Sequence, residues 1–213
     1  MPFIKLKKRL LPNSSIYAVI DRQSSGERRV VKIAKDCIAA GVKILQLRDK
    51  TEDVAGFYRQ ALLLKKIISK KGLLIINDRL DIACLVGADG LHVGQDDLSI
   101  SSARRLLPDA AIIGKSCHSL TQALRAQKEG ADYVSIGPIF RTPTKPAYTP
   151  VGMRLLKSAL AKLKIPIVAI GGIDKNNIRL VKEAGAKYIA LVRAICQEKN
   201  VGKAVKELEN QLA

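Results

Sequence analysis

The chain has 213 residues, 47% of them hydrophobic, and carries Lys+Arg 37 against Asp+Glu 19 for a formal net charge of +18. That apolar content excludes general disorder, and no apolar run approaches the roughly 18 residues of a spanning helix, which excludes an integral membrane protein. At about 150 residues per domain the length allows one domain or at most two.

The first segment, Met1 to Leu11, is basic and lacks the apolar centre of a secretory signal. Residues 1–12 therefore read as a basic extension, and a cytoplasmic location is expected. Lysines and arginines are spread along the whole chain, aromatics are only 4% and tryptophan is absent, so stacking platforms for single strands are not expected. The charge reads as a solvated exterior, with neither nucleic acid nor membrane as partner. No helix face is plainly over-apolar, which leaves a homo-oligomer open. Cys37, Cys84, Cys117 and Cys196 lie far apart without a CxxC, and only His92 and His118 accompany them. Reduced, mostly buried thiols are expected rather than a zinc site or disulfides.

Short β-branched runs then alternate with amphipathic stretches from end to end. Strands are predicted over Ile16–Ile20, Lys43–Leu47, Leu73–Ile76, Gly90–Val93, Ala111–Gly114, Tyr133–Gly137, Ile167–Ile170 and Tyr188–Val192. Helical spacing recurs in Val54, Phe57, Tyr58, Ala61 and Leu62, and again in Val201, Ala204, Val205, Leu208 and Leu212. Thr51, Ser119 and Asp174 mark helix starts, and a short helix is expected around Leu80–Val86. Gly41, Gly87, Gly130 and Gly185 end helices in one recurring joint, seen as Ala-Gly-Val-Lys, Val-Gly-Ala-Asp, Glu-Gly-Ala-Asp and Ala-Gly-Ala-Lys. Eight such units without a composition break predict a single-domain α/β chain folded as a (β/α)8 TIM barrel. A doubly wound dinucleotide fold would need GxGxxG after the first strand, where Asp21-Arg22-Gln23-Ser24-Ser25-Gly26 stands.

In such a barrel, reacting groups come from the C-terminal ends of the strands. Gln46, Arg48 and Lys50 alternate, so they share one face and converge on the mouth, two cations and an amide suited to a multiply charged phosphate. Asn77-Asp78 and Asp96-Asp97 follow the next two strands. Asp78 and Asp97 would then lie near each other on one rim, a pair of oxygen ligands of the kind that holds Mg2+ together with substrate phosphates. For Asp78 or Asp96 alone, a helix N-cap is the competing reading. Gly114-Lys115-Ser116-Cys117-His118 offers a hydroxyl and a cation. No nucleophile-elbow glycines surround Ser116, so a serine triad is not expected, and His118 reads as a loop or cap residue. The long loop Ile139–Gly152 carries Thr142, Thr144 and Lys145 among prolines, and Gly171-Gly172 before a helix can present backbone N–H groups to an anion. Two phosphorylated substrates suit this layout.

Six blocks carry a resemblance: Leu45-Gln46-Leu47-Arg48-x-Lys50, Ile76-Asn77-Asp78-Arg79, Gly90-Leu91-His92-Val93-Gly94-Gln95-Asp96-Asp97, Ile113-Gly114-x-Ser116-x-His118, Asp132-Tyr133-x-x-Ile136-Gly137-Pro138-Ile139-Phe140-x-Thr142-x-Thr144-Lys145, and Pro166-Ile167-Val168-Ala169-Ile170-Gly171-Gly172-Ile173. In this order, from about Ile16 to Ala194, the chain resembles the thiamine-phosphate synthase family. The resemblance implies a barrel that joins a hydroxymethylpyrimidine pyrophosphate to a thiazole phosphate, giving thiamine phosphate and pyrophosphate. It implies that Gln46, Arg48, Lys50, Asn77, Ser116 and Lys145 hold the pyrimidine pyrophosphate, with Arg48, Lys50, Ser116 and Lys145 catalytic. Asp78 and Asp97 would bind Mg2+. Thr142, Pro143, Thr144, Gly172 and the Val192–Arg193 backbone would hold the thiazole phosphate. Arg193 stands where the family often has serine, and Lys115 where small or apolar residues are usual. The rivals are a thiazole tautomerase of the same barrel and a non-catalytic basic barrel that binds anions or nucleic acid.

Overall fold

Side chains on a strand point alternately to its two faces, and in this protein both faces are buried. The computed structural model describes residues 11–12, 15–25, 30–51, 53–144 and 148–212. Eight strands, β1 (Ile16–Asp21), β2 (Ile44–Arg48), β3 (Leu73–Asn77), β4 (Gly90–Val93), β5 (Ile112–Cys117), β6 (Tyr133–Ile136), β7 (Ile167–Ile170) and β8 (Tyr188–Leu191), pair in parallel in chain order. β8 returns to β1 and closes the barrel. Between and after them run α1 (Arg22–Ser25), α2 (Val30–Ala39), α3 (Val54–Ile68), α4 (Leu80–Leu85), α5 (Ile100–Leu106), α6 (Leu120–Lys128), α7 (Gly152–Lys162), α8 (Ile178–Glu183), α9 (Arg193–Cys196) and α10 (Val201–Leu212).

The alternation splits the core in two. Leu45, Leu47, Leu74, Ile76, Val134, Ile136 and their counterparts face the helices and form the larger cluster. Tyr17, Val19, Ile44, Ile75, Ile112, Tyr133, Val168 and Tyr188 face the lumen and fill it. Burying each such side chain contributes about 1.5–3 kcal/mol before entropy is counted. Leu11 joins the lumen cluster beside Tyr188, so the end of the basic segment packs against the barrel floor; residues 1–10 lie outside the described residues.

Most local predictions hold, with differences that have physical reasons. Ser119 caps α6, its side chain accepting from the Gln122 amide. Asp53, rather than Thr51, caps α3, because its carboxylate reaches the Gly56 amide. The buried stripe of α3 is Phe57, Ala61, Leu64 and Ile68 with Gly56, while Val54 is exposed on the first turn. α8 starts at Ile178 after Asn177; Asp174 makes a turn before it, accepting from the Asn176 amide. β5 runs on to Cys117 instead of stopping at Gly114, and this changes where Lys115 points. Cys37, Cys117 and Cys196 are buried and Cys84 is exposed, all four as free thiols; burial pushes the Cys37 and Cys117 thiols up to about 12.

The four glycines of the recurring joint all take positive φ, as a left-handed helix end requires. The aspartates in two of these joints are staples. Asp89 Oδ2 accepts from the Leu74 amide at 3.0 Å and from Lys65 Nζ at 2.8 Å. Asp132 Oδ2 does the same two strands later, with the Ile113 amide and Arg104 Nη2 each at 2.7 Å. Each carboxylate ties the entry of one strand to its neighbour and to a helix outside. Replacing Asp89 with alanine leaves the Leu74 N–H without its carboxylate acceptor, while the Lys65 pair is 29% exposed on the lysine side and adds little. Asp89→Ala is expected to lower unfolding stability by about 2 kcal/mol, read as a shift of the urea midpoint at unchanged slope.

Candidate active site

The lumen changes character along its length. Its lower layers are aliphatic and aromatic, and toward the C-terminal ends of the strands the same inward positions become Gln46, Arg48, Asn77, His92, Ser116 and Ser135. They line a cavity of about 390 Å³ that continues under the loop after β6 and across to Gly171, Gly172, Val192 and Arg193. Polar groups placed on strands in this way are held by the barrel's own packing.

Of the two cations expected from β2, Arg48 lines this cavity and Lys50 is not among its lining residues; each meets a carboxylate. Arg48 Nη1 donates to Asp21 Oδ1 at 2.6 Å, and Asp21 is further held by the Ser24 amide and hydroxyl. Lys50, past the end of β2 and partly exposed, pairs with Asp78. The loop bearing Lys50 is pinned by an arginine that sequence reasoning passed over. Buried Arg22 binds Asp49 at 2.7 Å, Thr51 at 3.2 Å and Asp53 at 3.1 Å. The Gly56 amide and then Arg22 hold the Asp53 carboxyl below the usual carboxylate range.

The Asp78 and Asp97 carboxyls lie close enough to act on each other, and Asp78 follows Asn77, which lines the cavity. The helix-cap alternative fails for the acidic residues, since α4 has no side-chain cap and α5 is capped by Ser99. Asp78 takes φ +60, a left-handed conformation that aspartate tolerates better than most residues. Its amide donates to the His92 carbonyl at 2.8 Å, and its carboxylate accepts from Asn77 Nδ2 at 2.6 Å. Asp97 Oδ2 accepts from the Gly94 amide at 2.6 Å. Burial, and then the neighbouring Asp78 carboxyl, push the Asp97 carboxyl above its ordinary range. Two neighbouring carboxyls, with one exposed ammonium on Asp78, form a donor set that gains by holding a cation.

Lys115 is not at the mouth. On the extended β5 it alternates with the inward Ser116, lies buried on the other face, and donates to the Gly94 carbonyl at 2.6 Å. The Gly94 peptide is thus held by Lys115 through its carbonyl and holds Asp97 through its amide. His118 matches its expectation as a cap-region residue, with its amide on Gln122 Oε1 at 2.7 Å, Nδ1 against the Gly137 carbonyl at 2.5 Å and its ring on Tyr148. Ser116 pairs with His92 instead, at 2.9 Å.

On the far side, Thr142 and Thr144 line the cavity, whereas Pro143 is exposed. Lys145 lies outside the described residues. Gly171 and Gly172 take φ +101 and +67, and a Cβ on either would sit 2.5 Å from Pro138 or 2.6 Å from the Arg141 carbonyl. These glycines let the loop after β6 lie directly on the β7 end. Arg193 turns along its own helix to Gln197 at 3.1 Å, leaving its backbone at the cavity wall. The signal for Asp21, Tyr133 and Arg22 is weak, because a charge or phenol on or just after a strand shows its partner only after the barrel closes.

Residues 16–195 match the family model described as thiamine monophosphate synthase. The chain is 41% identical over 195 residues to the thiamine-phosphate synthase of Shouchella clausii (strain KSM-K16), covering 91% of this chain and 93% of that one. It is 43% identical over 183 residues to that of Syntrophomonas wolfei subsp. wolfei, covering 85% and 88%. Among solved structures, the thiamine phosphate pyrophosphorylase from Pyrococcus furiosus superposes with a TM-score of 0.85 at 33% identity, over 93% of this chain and 95% of that one. With its barrel, its cavity and its matched blocks in one register, the chain belongs to the thiamine monophosphate synthase family.

Proposed function

We propose that the protein is a thiamine-phosphate synthase, a transferase that joins a hydroxymethylpyrimidine pyrophosphate to a thiazole phosphate and releases pyrophosphate. The observation that carries the reading is the closeness of the Asp78 and Asp97 carboxyls, with Lys50 paired to Asp78 and the neighbouring Asn77 lining the same cavity as Arg48. Among the described residues no group of three or more His, Cys, Asp or Glu gathers as a metal site. A pair of carboxylates suits Mg2+, which takes the rest of its shell from water and substrate phosphates. Asp78 and Asp97 would hold it, and the bound ion supplies positive charge against the phosphates.

Arg48 and Lys50, with Lys145, stabilise the negative charge that the pyrophosphate gains as the C–O bond breaks and takes the bonding electrons. Asp21 presents Arg48 in a fixed direction. Gln46, Asn77 and Ser116 orient the pyrimidine pyrophosphate. Loss of pyrophosphate leaves a resonance-stabilised carbocation on the pyrimidine methylene, and the thiazole nitrogen captures it with its lone pair. No protein nucleophile is needed; the two substrates held side by side supply much of the rate. Thr142, Pro143, Thr144, Gly172 and the Val192–Arg193 backbone hold the thiazole phosphate. Until substrate arrives, the partners of the Arg48 and Lys50 cations are the carboxylates of Asp21 and Asp78. No helix among the described residues is long and apolar enough to cross a membrane.

Incubation with both phosphorylated substrates and Mg2+ should yield thiamine phosphate; a thiazole tautomerase would isomerise the thiazole phosphate and form none. Asp78→Ala and Asp97→Ala should each cut turnover by on the order of 10²–10³-fold with the thermal midpoint little changed. Wild-type activity in either variant contradicts the reading. So does tight, salt-steep DNA binding that Asp78→Ala leaves intact. Lys115→Met frees the Gly94 peptide that holds Asp97. It should raise the Mg2+ concentration for half-maximal rate about tenfold, the equivalent of one hydrogen bond to a charged group, while leaving the rate at saturating Mg2+ near that of the parent.

A further inference from the structure

Beneath the cavity floor, five side chains from five strands join in one line. Gln46 Nε2 donates to the Tyr17 hydroxyl at 2.7 Å. The Tyr17 and Tyr133 hydroxyls meet at 2.8 Å, Tyr133 meets His92 Nδ1 at 2.8 Å, and His92 Nε2 meets Ser116 Oγ at 2.9 Å. The Tyr133 ring also stacks on the His92 ring. Gly114 leaves it room, since a Cβ there would lie 2.1 Å from Tyr133 Cζ. Both phenols are fully buried, and burial pushes them far above the ordinary tyrosine range. They stay neutral hydroxyls, each with one proton to give.

That scarcity of protons makes the line directional. A neutral imidazole donates from one ring nitrogen and accepts at the other. With the Gln46 amide donating inward, Tyr17 must donate to Tyr133, Tyr133 to His92 Nδ1, and His92 Nε2–H to Ser116. The Ser116 proton is then left for the cavity, and so is the Gln46 carbonyl. Reversing one member alone sets two protons or two lone pairs against each other inside the barrel, where an unmet polar group costs about 1–3 kcal/mol. Ser135 Oγ sits 3.4 Å from both His92 Nε2 and Ser116 Oγ and can donate to the serine without claiming its proton.

We propose that the Gln46–Tyr17–Tyr133–His92–Ser116 line is a hydrogen-bond relay that fixes Ser116 as a donor toward the substrate and Gln46 as an acceptor, with His92 and Tyr133 as positioning residues. The ligand class follows. Pyrimidine ring nitrogens and phosphate oxygens are acceptors only, and they need the serine's proton facing them. The Gln46 carbonyl in turn selects a ring that carries an N–H donor. The inference deepens the proposed function, and its kinetic consequence rests on that reading, whereas the state of His92 in the ligand-free protein does not.

Long-range 15N–1H spectra of histidine-labelled, ligand-free protein test the relay. His92 should be the Nε2–H tautomer in the parent and remain so in Ser116→Ala. Tyr133→Phe removes the donor to Nδ1 and should give a mixture of tautomers. With both substrates, Tyr133→Phe should lower kcat about tenfold with KM changed less than twofold, and this loss should disappear in the Ser116→Ala background. An Nδ1–H tautomer in the parent overturns the relay, whatever the variants' stability. An unchanged tautomer in Tyr133→Phe, or kinetic losses that multiply in the double variant, also overturns it. If no thiamine phosphate forms while the tautomer shifts as stated, the relay stands and the proposed function fails.

Discussion

Every second residue of a strand in a closed barrel has nowhere to point but inward, and the site of this protein depends on that constraint. Ile44, Gln46 and Arg48 on β2, Leu73, Ile75 and Asn77 on β3, and Ile112, Gly114 and Ser116 on β5 each climb the lumen in steps of two. The lower members are apolar and fill the barrel; the upper ones are polar and line the cavity. The same strands therefore supply stability at one end and chemistry at the other, with the lumen side chains as the common support. The glycines among these inward positions are spaces for neighbours: Gly114 makes room for Tyr133, which in turn reaches His92.

Electrostatics near the ends of β1 and β2 follow a second pattern, in which a cation takes a carboxylate partner. Arg48 has Asp21, Lys50 has Asp78, and Arg22 has Asp49 and Asp53. Buried Asp21 and partly buried Arg48 would each be costly alone, and together they fix the guanidinium's direction before any ligand arrives. Asp97 departs from this pattern: it has no ion pair of its own among the described residues, and burial, followed by the neighbouring Asp78 carboxyl, pushes its carboxyl upward. The net charge of +18 belongs mostly to the outside of the molecule, where i,i+4 pairs such as Lys32–Asp36 and Arg125–Glu129 lie on exposed helix faces. Such pairs contribute little to stability.

Lys115 illustrates how placement changes meaning. Read as a residue beyond the end of a strand, it is a cation offered to substrate. Inside the longer β5 it falls on the opposite face from Ser116 and ties down the Gly94 peptide from which Asp97 is held. A substitution unusual for the family thus acts on the loop rather than on a phosphate. Arg193 is similar, with its guanidinium directed to Gln197 along the helix surface.

The amino-acid order by itself determined the barrel, because eight β-branched runs of period two and the repeated glycine joint are local properties that survive without knowledge of any contact. It also indicated that Gln46, Arg48, Asn77 and Ser116 reach the cavity, since they take inward positions toward strand ends. Only the tertiary structure decided who partners whom. Asp89 and Asp132 as strand staples, Arg22 beneath the Lys50 loop, and the line from Gln46 to Ser116 through two tyrosines and a histidine each join residues from different strands or helices. Tyr17 and Tyr133 are 116 positions apart, yet their hydroxyls touch. Periodicity says which face a side chain takes; the closure and register of the sheet say what it meets there, and that information is spread over the whole chain.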